Sequence, residues 1–220
     1  MSAAPPDVID LLAGIEPASR LYDIRNQRTQ ARENAQKSYL ALFEPEVPGD
    51  VTAVERFAVA SFVAGLHQQP VVAEFYAAGL HRLVERRISD AIAAEISRGS
   101  AQGPYGRYPN GPLSVEDLAG PGYQVAPENQ PVLGRKLIAA LEHAHLLVFH
   151  PRDASPAALQ TLLDAGWSTT GIVTLSQLVS FLAFQIRVVA GLRALSSASV
   201  APVDVPRAAE LTSVLASDRV

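Results

Sequence analysis

The chain has no cysteine among its 220 residues. That absence excludes disulfides, thiolate metal sites, iron–sulfur clusters and any redox cycle that runs through a thiol. Aromatic residues are scarce at 6%, so Ala, Leu and Val carry most of an apolar share of 48%, a balance that favours helices over a β-sandwich. Charge is thin as well, at 18% of residues with a net charge of −4. An acidic chain is repelled by nucleic acid and by anionic membranes, and neither is expected as a partner. The opening M-S-A-A-P-P-D-V-I-D lacks the basic and apolar regions of a secretory signal, and the expected location is cytoplasmic.

The longest apolar run is G-I-V-T-L-S-Q-L-V-S-F-L-A-F-Q-I-R-V-V-A-G-L, residues 171–192. It is long enough to cross a bilayer, but Arg187 within it is expensive in lipid. A helix apolar on nearly every side reads instead as a central core helix or an oligomer interface.

Helical signals fill the remainder, and no alternating strand pattern survives, so the expected fold is all-α. Residues 18–43 read as one long polar helix in an N-terminal arm, residues 1–48, that adds little to a core. Arg25, Arg28 and Arg32 share one face of it, a solvated or salt-bridged stripe. Thr52 and Glu55 form a capping-box pattern opening a helix to about residue 66. Pro70 opens the next, running to about residue 96 with Val72, Phe75, Tyr76, Leu80 and Leu83 on one face. Residues 98–131 are rich in Gly and Pro and hold Tyr105, Tyr108 and Tyr123, three of the six tyrosines. A loop of that length and composition is expected to be ordered, packed on the body, and able to lid a site. Helices follow from about residue 132 to Pro151, from Ser155-Pro156 to Gly166, and from Ser168 or Thr169 to about residue 195. These make a main domain of residues 49–196 and a tail of 197–220, in which V-P-R-A-A-E-L-T-S-V-L has the makings of a short helix.

Two stretches carry a family resemblance. V-T-A-V-E-R-F-A-V-A-S-F-V-A-G-L-H-Q-Q-P-V-V-A-E-F-Y-A-A-G-L spans residues 51–80, and A-A-L-Q-T-L-L-D-A-G-W-S-T-T-G-I-V-T-L-S-Q-L-V-S-F-L-A-F-Q-I-R-V-V-A-G-L spans 157–192. Over roughly residues 49 to 195 the chain resembles the alkylhydroperoxidase D-like, or carboxymuconolactone decarboxylase, family, above all its peroxidase-related branch. The resemblance implies an all-α fold and a symmetric homo-oligomer. Peroxidatic members carry Cys-x-x-Cys and a histidine four residues later at a helix start, where a thiol is readily ionised. Laid on that pattern, this chain has Gln69 and Val72 for the cysteines and Tyr76 for the histidine. A thiol peroxidase is therefore excluded by chemistry.

What the chain offers at that position is H-Q-Q-P-V-V-A-E-F-Y. Read functionally, His67 is a general acid or base. Gln68, Gln69 and Glu74 then contact a substrate, Tyr76 donates a proton or orients it, and Arg187 anchors a carboxylate. Tyr105 and Tyr108 would close over it from the loop. Read plainly, the same residues are a polar helix–helix turn, with Tyr76 packed on the core. The two corresponding functions are a redox-inactive small-molecule-binding or partner subunit, beside a thiol-bearing paralogue, and a cofactor-independent lyase or isomerase acting on a small organic acid or lactone.

No cofactor is expected and no metal. His143 and His145 in L-E-H-A-H are two positions apart, about 200° around a helix, and cannot share one ion. His81 and Glu85 read as a surface pair, and Trp167 as a core plug. Ser176, Gln177, Ser180 and Arg187 form either the wet side of the apolar helix or, through Arg187, one wall of a site.

Overall fold

The computed structural model describes residues 6–198, and all secondary structure there is helical apart from one isolated bridge between Gly106 and Leu118. Nine α-helices run in the order α1 (Val8–Ala13), α2 (Arg20–Asn26), α3 (Thr29–Phe43), α4 (Ala53–Leu66), α5 (Pro70–His81), α6 (Arg86–Gly99), α7 (Gln130–Phe149), α8 (Pro156–Asp164) and α9 (Thr169–Ser197). The possible tail helix within 205–215 lies outside the described residues.

Helix α4 is the axis. Its A-V-A-S-F-V-A run places Ala58, Val59, Ala60, Phe62, Val63 and Ala64 completely out of solvent, and α5, α6, α7 and α9 pack around it. The start is set by sequence: the Thr52 side chain accepts from Glu55 N, and the Glu55 carboxylate accepts from Thr52 N at 2.8 Å, a reciprocal cap. Two glycines let the neighbours close in. A β-carbon on Gly79 of α5 would collide with the Phe57 ring, and one on Gly65 would sit 2.7 Å from Ile96.

The apolar run forms α9, with Leu175, Leu178, Leu182, Gln185, Ile186 and Val189 buried against the core. It is long and apolar enough to cross a membrane, and half of its most apolar window is buried inside the protein. Val173 and Phe184 on its other side remain 52% and 47% exposed.

Three expectations are corrected. The stretch 18–43 is not one helix: it breaks at Gln27–Arg28, where Arg28 leaves helical geometry at φ −126° and ψ 57°. The break lets Arg25 and Arg32 converge on the same two carboxylates, Asp7 and Asp10, at the start of α1. The segment also adds more to the core than its polarity suggests, because Ala35, Tyr39, Leu42 and Phe43 join the main hydrophobic cluster with Val8, Ile9 and Leu12 of the unanticipated α1. Finally, the helix from Pro70 ends at His81. Leu83 N and Val84 N both turn back to Leu80 O, and α6 sets off in a new direction that buries Ala91, Ile92 and Glu95. Leu83 is 43% exposed rather than on the core face.

The 98–131 loop is ordered on the body, as its aromatic residues led one to expect. Tyr105 N donates to Phe149 O at 2.6 Å, and Gly106 and Leu118 exchange two backbone bonds that close a neck. Its far end is tied by Glu95 of α6, which is fully buried. That carboxylate accepts from Tyr123 Oη at 2.7 Å, Ala126 N at 3.1 Å and Asn129 Nδ2 at 2.7 Å. Burial alone would raise the Glu95 pKa, but these bonds and the nearby Arg98 outweigh it and hold it below the ordinary range.

Candidate functional site

The residues singled out around H-Q-Q-P do not meet in one cavity. His67 ends α4 and is half-buried. Its Nε2 is enclosed without a hydrogen-bond partner among the described residues. Burial lowers its pKa, and the Arg187 charge lowers it further. Gln68 is exposed in a left-handed conformation, φ 53°, and Gln69 precedes α5 without capping it through its side chain. Glu74 is exposed, at the edge of a hollow between α5 and α6. Arg187 is exposed on α9 and donates to Ala183 O of its own helix at 2.7 Å.

Tyr76 goes to the core. It is 0% exposed, packed among Phe43, Phe57 and Phe75, and its hydroxyl donates to Gln185 Oε1 at 2.6 Å. Burial raises its pKa well above the ordinary tyrosine value, so it is held neutral and away from solvent. The loop residues Tyr105 and Tyr108 both contact the segment after α7. The Arg152 guanidinium lies 4.1 Å over the Tyr108 ring, and the Tyr105 ring packs on His150.

A different part of the chain does form a cavity. It has a volume of about 290 Å³ and lies between the inner end of the loop, α7 and α8. Ala139, His143, Leu146 and His150 supply one wall. They are spaced four, three and four residues apart, a single helical face carried past the end of α7. Glu142 and His145 flank that face, Tyr123 comes from the loop, and Ala158 and Thr161 from α8.

Its polar groups divide into engaged and free. His145 Nε2 lies 3.0 Å from Gly99 O, so that nitrogen is the one carrying the proton. Its ring stacks on Tyr123 at 4.5 Å. His150 reaches Asp153 Oδ2 with Nδ1 and Pro121 O with Nε2, each at 3.0 Å. Glu142 Oε1 accepts from Val125 N at 3.0 Å, yet burial, aided by Glu95, leaves its pKa raised. His143 is the exception. It is 6% exposed, and both ring nitrogens are enclosed with no partner among the described residues. Burial lowers its pKa and keeps it neutral. A neutral imidazole carries one donor and one acceptor, and leaving both unmet costs free energy that a ligand could recover.

Sequence reasoning weighed His143 and His145 only as metal ligands. The available signal was three histidines within eight residues of an otherwise apolar helix end, in L-E-H-A-H-L-L-V-F-H. The loop and α8 residues that complete the enclosure are distant in sequence.

The chain matches no protein-family model, and comparison with curated proteins and with solved structures finds no similar protein.

Proposed function

We propose that this chain is a cysteine-less protein of the alkylhydroperoxidase D-like kind that binds a small organic molecule in the His143 cavity and carries no thiol peroxidase activity. One observation supports this reading above the rest: His143, a lining residue of a hollow of ligand size, keeps two buried ring nitrogens without a partner among the described residues. A buried polar group without partners is a liability in a purely structural wall and an asset in a binding site. The same proposal includes a homo-oligomer in the cytoplasm, in which the exposed side of α9 is the natural contact, and a thiol-bearing paralogue as working partner.

The test is a thermal-shift and calorimetric screen of small organic molecules on wild type, His143→Ala and His67→Ala. The expected result is a ligand whose stabilisation is lost in His143→Ala and kept in His67→Ala. The reverse pattern would move the site to the α4–α5 turn.

A second reading, a cofactor-independent lyase or isomerase on a small organic acid or lactone, draws on His67, whose pKa is lowered by burial and then by the Arg187 charge. In this reading His67 supplies the base and Arg187 the carboxylate anchor. Tyr76 has no part in this version, since its hydroxyl is enclosed and bonded to Gln185. Turnover of such acids by wild type, abolished in both His67→Ala and Arg187→Ala, would establish it.

A further inference from the structure

The His143 cavity also says something about the charge of what it takes, an inference that rests on the binding reading above. Two carboxylates line it, Glu142 and Asp153, and no lysine or arginine does among the described residues. Two arginines close by are engaged elsewhere: the Arg152 guanidinium stacks over Tyr108 and donates to Glu116 O at 3.2 Å, and Arg98 pairs with Glu95 and donates to Gln124 O. His150 is no anion hook either, because both of its ring nitrogens already face oxygen acceptors, on Asp153 and Pro121. An incoming carboxylate would therefore shed its hydration beside Glu142 and Asp153 and meet no cation that is not already paired, which is costly. A protonated amine would meet Glu142 beside it on α7 and could donate to the lone pair of His143.

The rest of the wall is built for an apolar body. Tyr123 stacked on His145 gives an aromatic side, and Ala139, Leu146 and Ala158 give an aliphatic one. At about 290 Å³ the space sits at the lower end of small-molecule sites, enough for one ring with a short substituent.

We propose that the cavity selects a small aromatic or aliphatic primary amine in its protonated form, with His143 accepting one N–H and Glu142 supplying the counter-charge. The organic acids suggested by the family resemblance are disfavoured by this wall.

The experiment compares three probes of nearly one shape and three charges: benzylamine, benzyl alcohol and benzoate, titrated calorimetrically at neutral pH. Wild type is expected to bind benzylamine roughly tenfold more tightly than benzyl alcohol, with benzoate weakest. Glu142→Gln should erase that preference while leaving the affinity for benzyl alcohol within about twofold. His143→Ala should weaken both. Should that variant misfold, the imidazole nitrogen resonances of wild type read the same contact, and benzylamine must move those of His143.

Benzoate binding as tightly as benzylamine, with His143 involved, would overturn the amine assignment and leave the cavity as a binding site. Benzyl alcohol matching benzylamine would do the same. If none of the three binds, or if binding and resonances ignore His143, both the amine assignment and the cavity reading fall.

Discussion

Tyr76 and Gln185 meet at 2.6 Å inside the core, joining α5 to α9 where neither side chain has any exposed surface. The bond is the only one found for the Gln185 amide, whose Nε2 is itself enclosed without a partner among the described residues. Tyr76→Phe should therefore strand the remaining acceptor and destabilise the fold by ~1–3 kcal/mol in chemical denaturation. Adding Gln185→Leu should restore much of that loss, since removing both partners spares the desolvation cost. If Tyr76→Phe unfolds no more easily than wild type, the bond carries no stability.

Glu95 should govern the acid limb of the stability curve. Its pKa is held below the ordinary glutamate value of 4.5 by three donors and Arg98. A depressed carboxylate contributes stability that is present above the unfolded value and lost as pH falls through the folded one. Glu95→Gln is expected to cost roughly 2–4 kcal/mol at pH 7, by leaving donors of the loop under-satisfied. It should also flatten the loss of stability below about pH 4.5. Urea titrations of both proteins at stepped pH values check the sign.

The buried histidines act in the opposite range. His67, His143 and His145 all have pKa values lowered from 6.5 by burial. Below 6.5 the unfolded chain takes up protons that the folded chain refuses, so stability must fall as pH drops from neutrality. His143→Leu removes one of these groups and should reduce the slope between about pH 7 and pH 5.5. A slope unchanged in that variant would mean that His143 accepts its proton in the folded state.

His143→Leu should also raise stability at pH 7.5, by roughly 1 kcal/mol, because it deletes two unmet polar atoms from an enclosed site. Loss of ligand binding in the same protein would complete the expected trade of function for stability. A lower melting temperature would point instead to an unseen partner for the imidazole.

Gly79 offers a packing test away from any site. An alanine methyl there would run into the Phe57 ring, a contact that the ring or the helix must yield to. Gly79→Ala should cost ~1–3 kcal/mol despite alanine's better helix propensity. A gain in stability would show that the Phe57 side chain turns aside freely.

Several helix starts were legible from a side chain or a proline: Thr52 with Glu55, Pro70, Ser155-Pro156 and Ser168 all cap or open helices as read. The breaks were not. Gln27-Arg28 and Arg82 to Glu85 contain good helix formers and no glycine or proline, so nothing local announces a turn. The first is tied to the joint demand of Arg25 and Arg32 for Asp7 and Asp10, which is tertiary. Short α1 was hidden behind Pro5-Pro6, although Asp7 caps it. The site was harder still. Tyr76 looked the same in sequence as a core residue and as a proton donor, and only its placement among Phe43, Phe57 and Phe75 separates the two. His143 became a candidate through Tyr123, Ala158 and Thr161, which fold against it from other segments.

The neck formed by Gly106 and Leu118 has a practical meaning for anyone who handles this protein. Beyond its two backbone bonds, Arg107 N is tied to Asp153, and Tyr108 and Glu116 O to Arg152, while residues 109–113 at the tip are exposed throughout. The fold thus has a built-in splice point. A reporter peptide inserted between Asn110 and Gly111 would ride as cargo on the outside, while Glu95 and the neck keep the two ends of the excursion where they are.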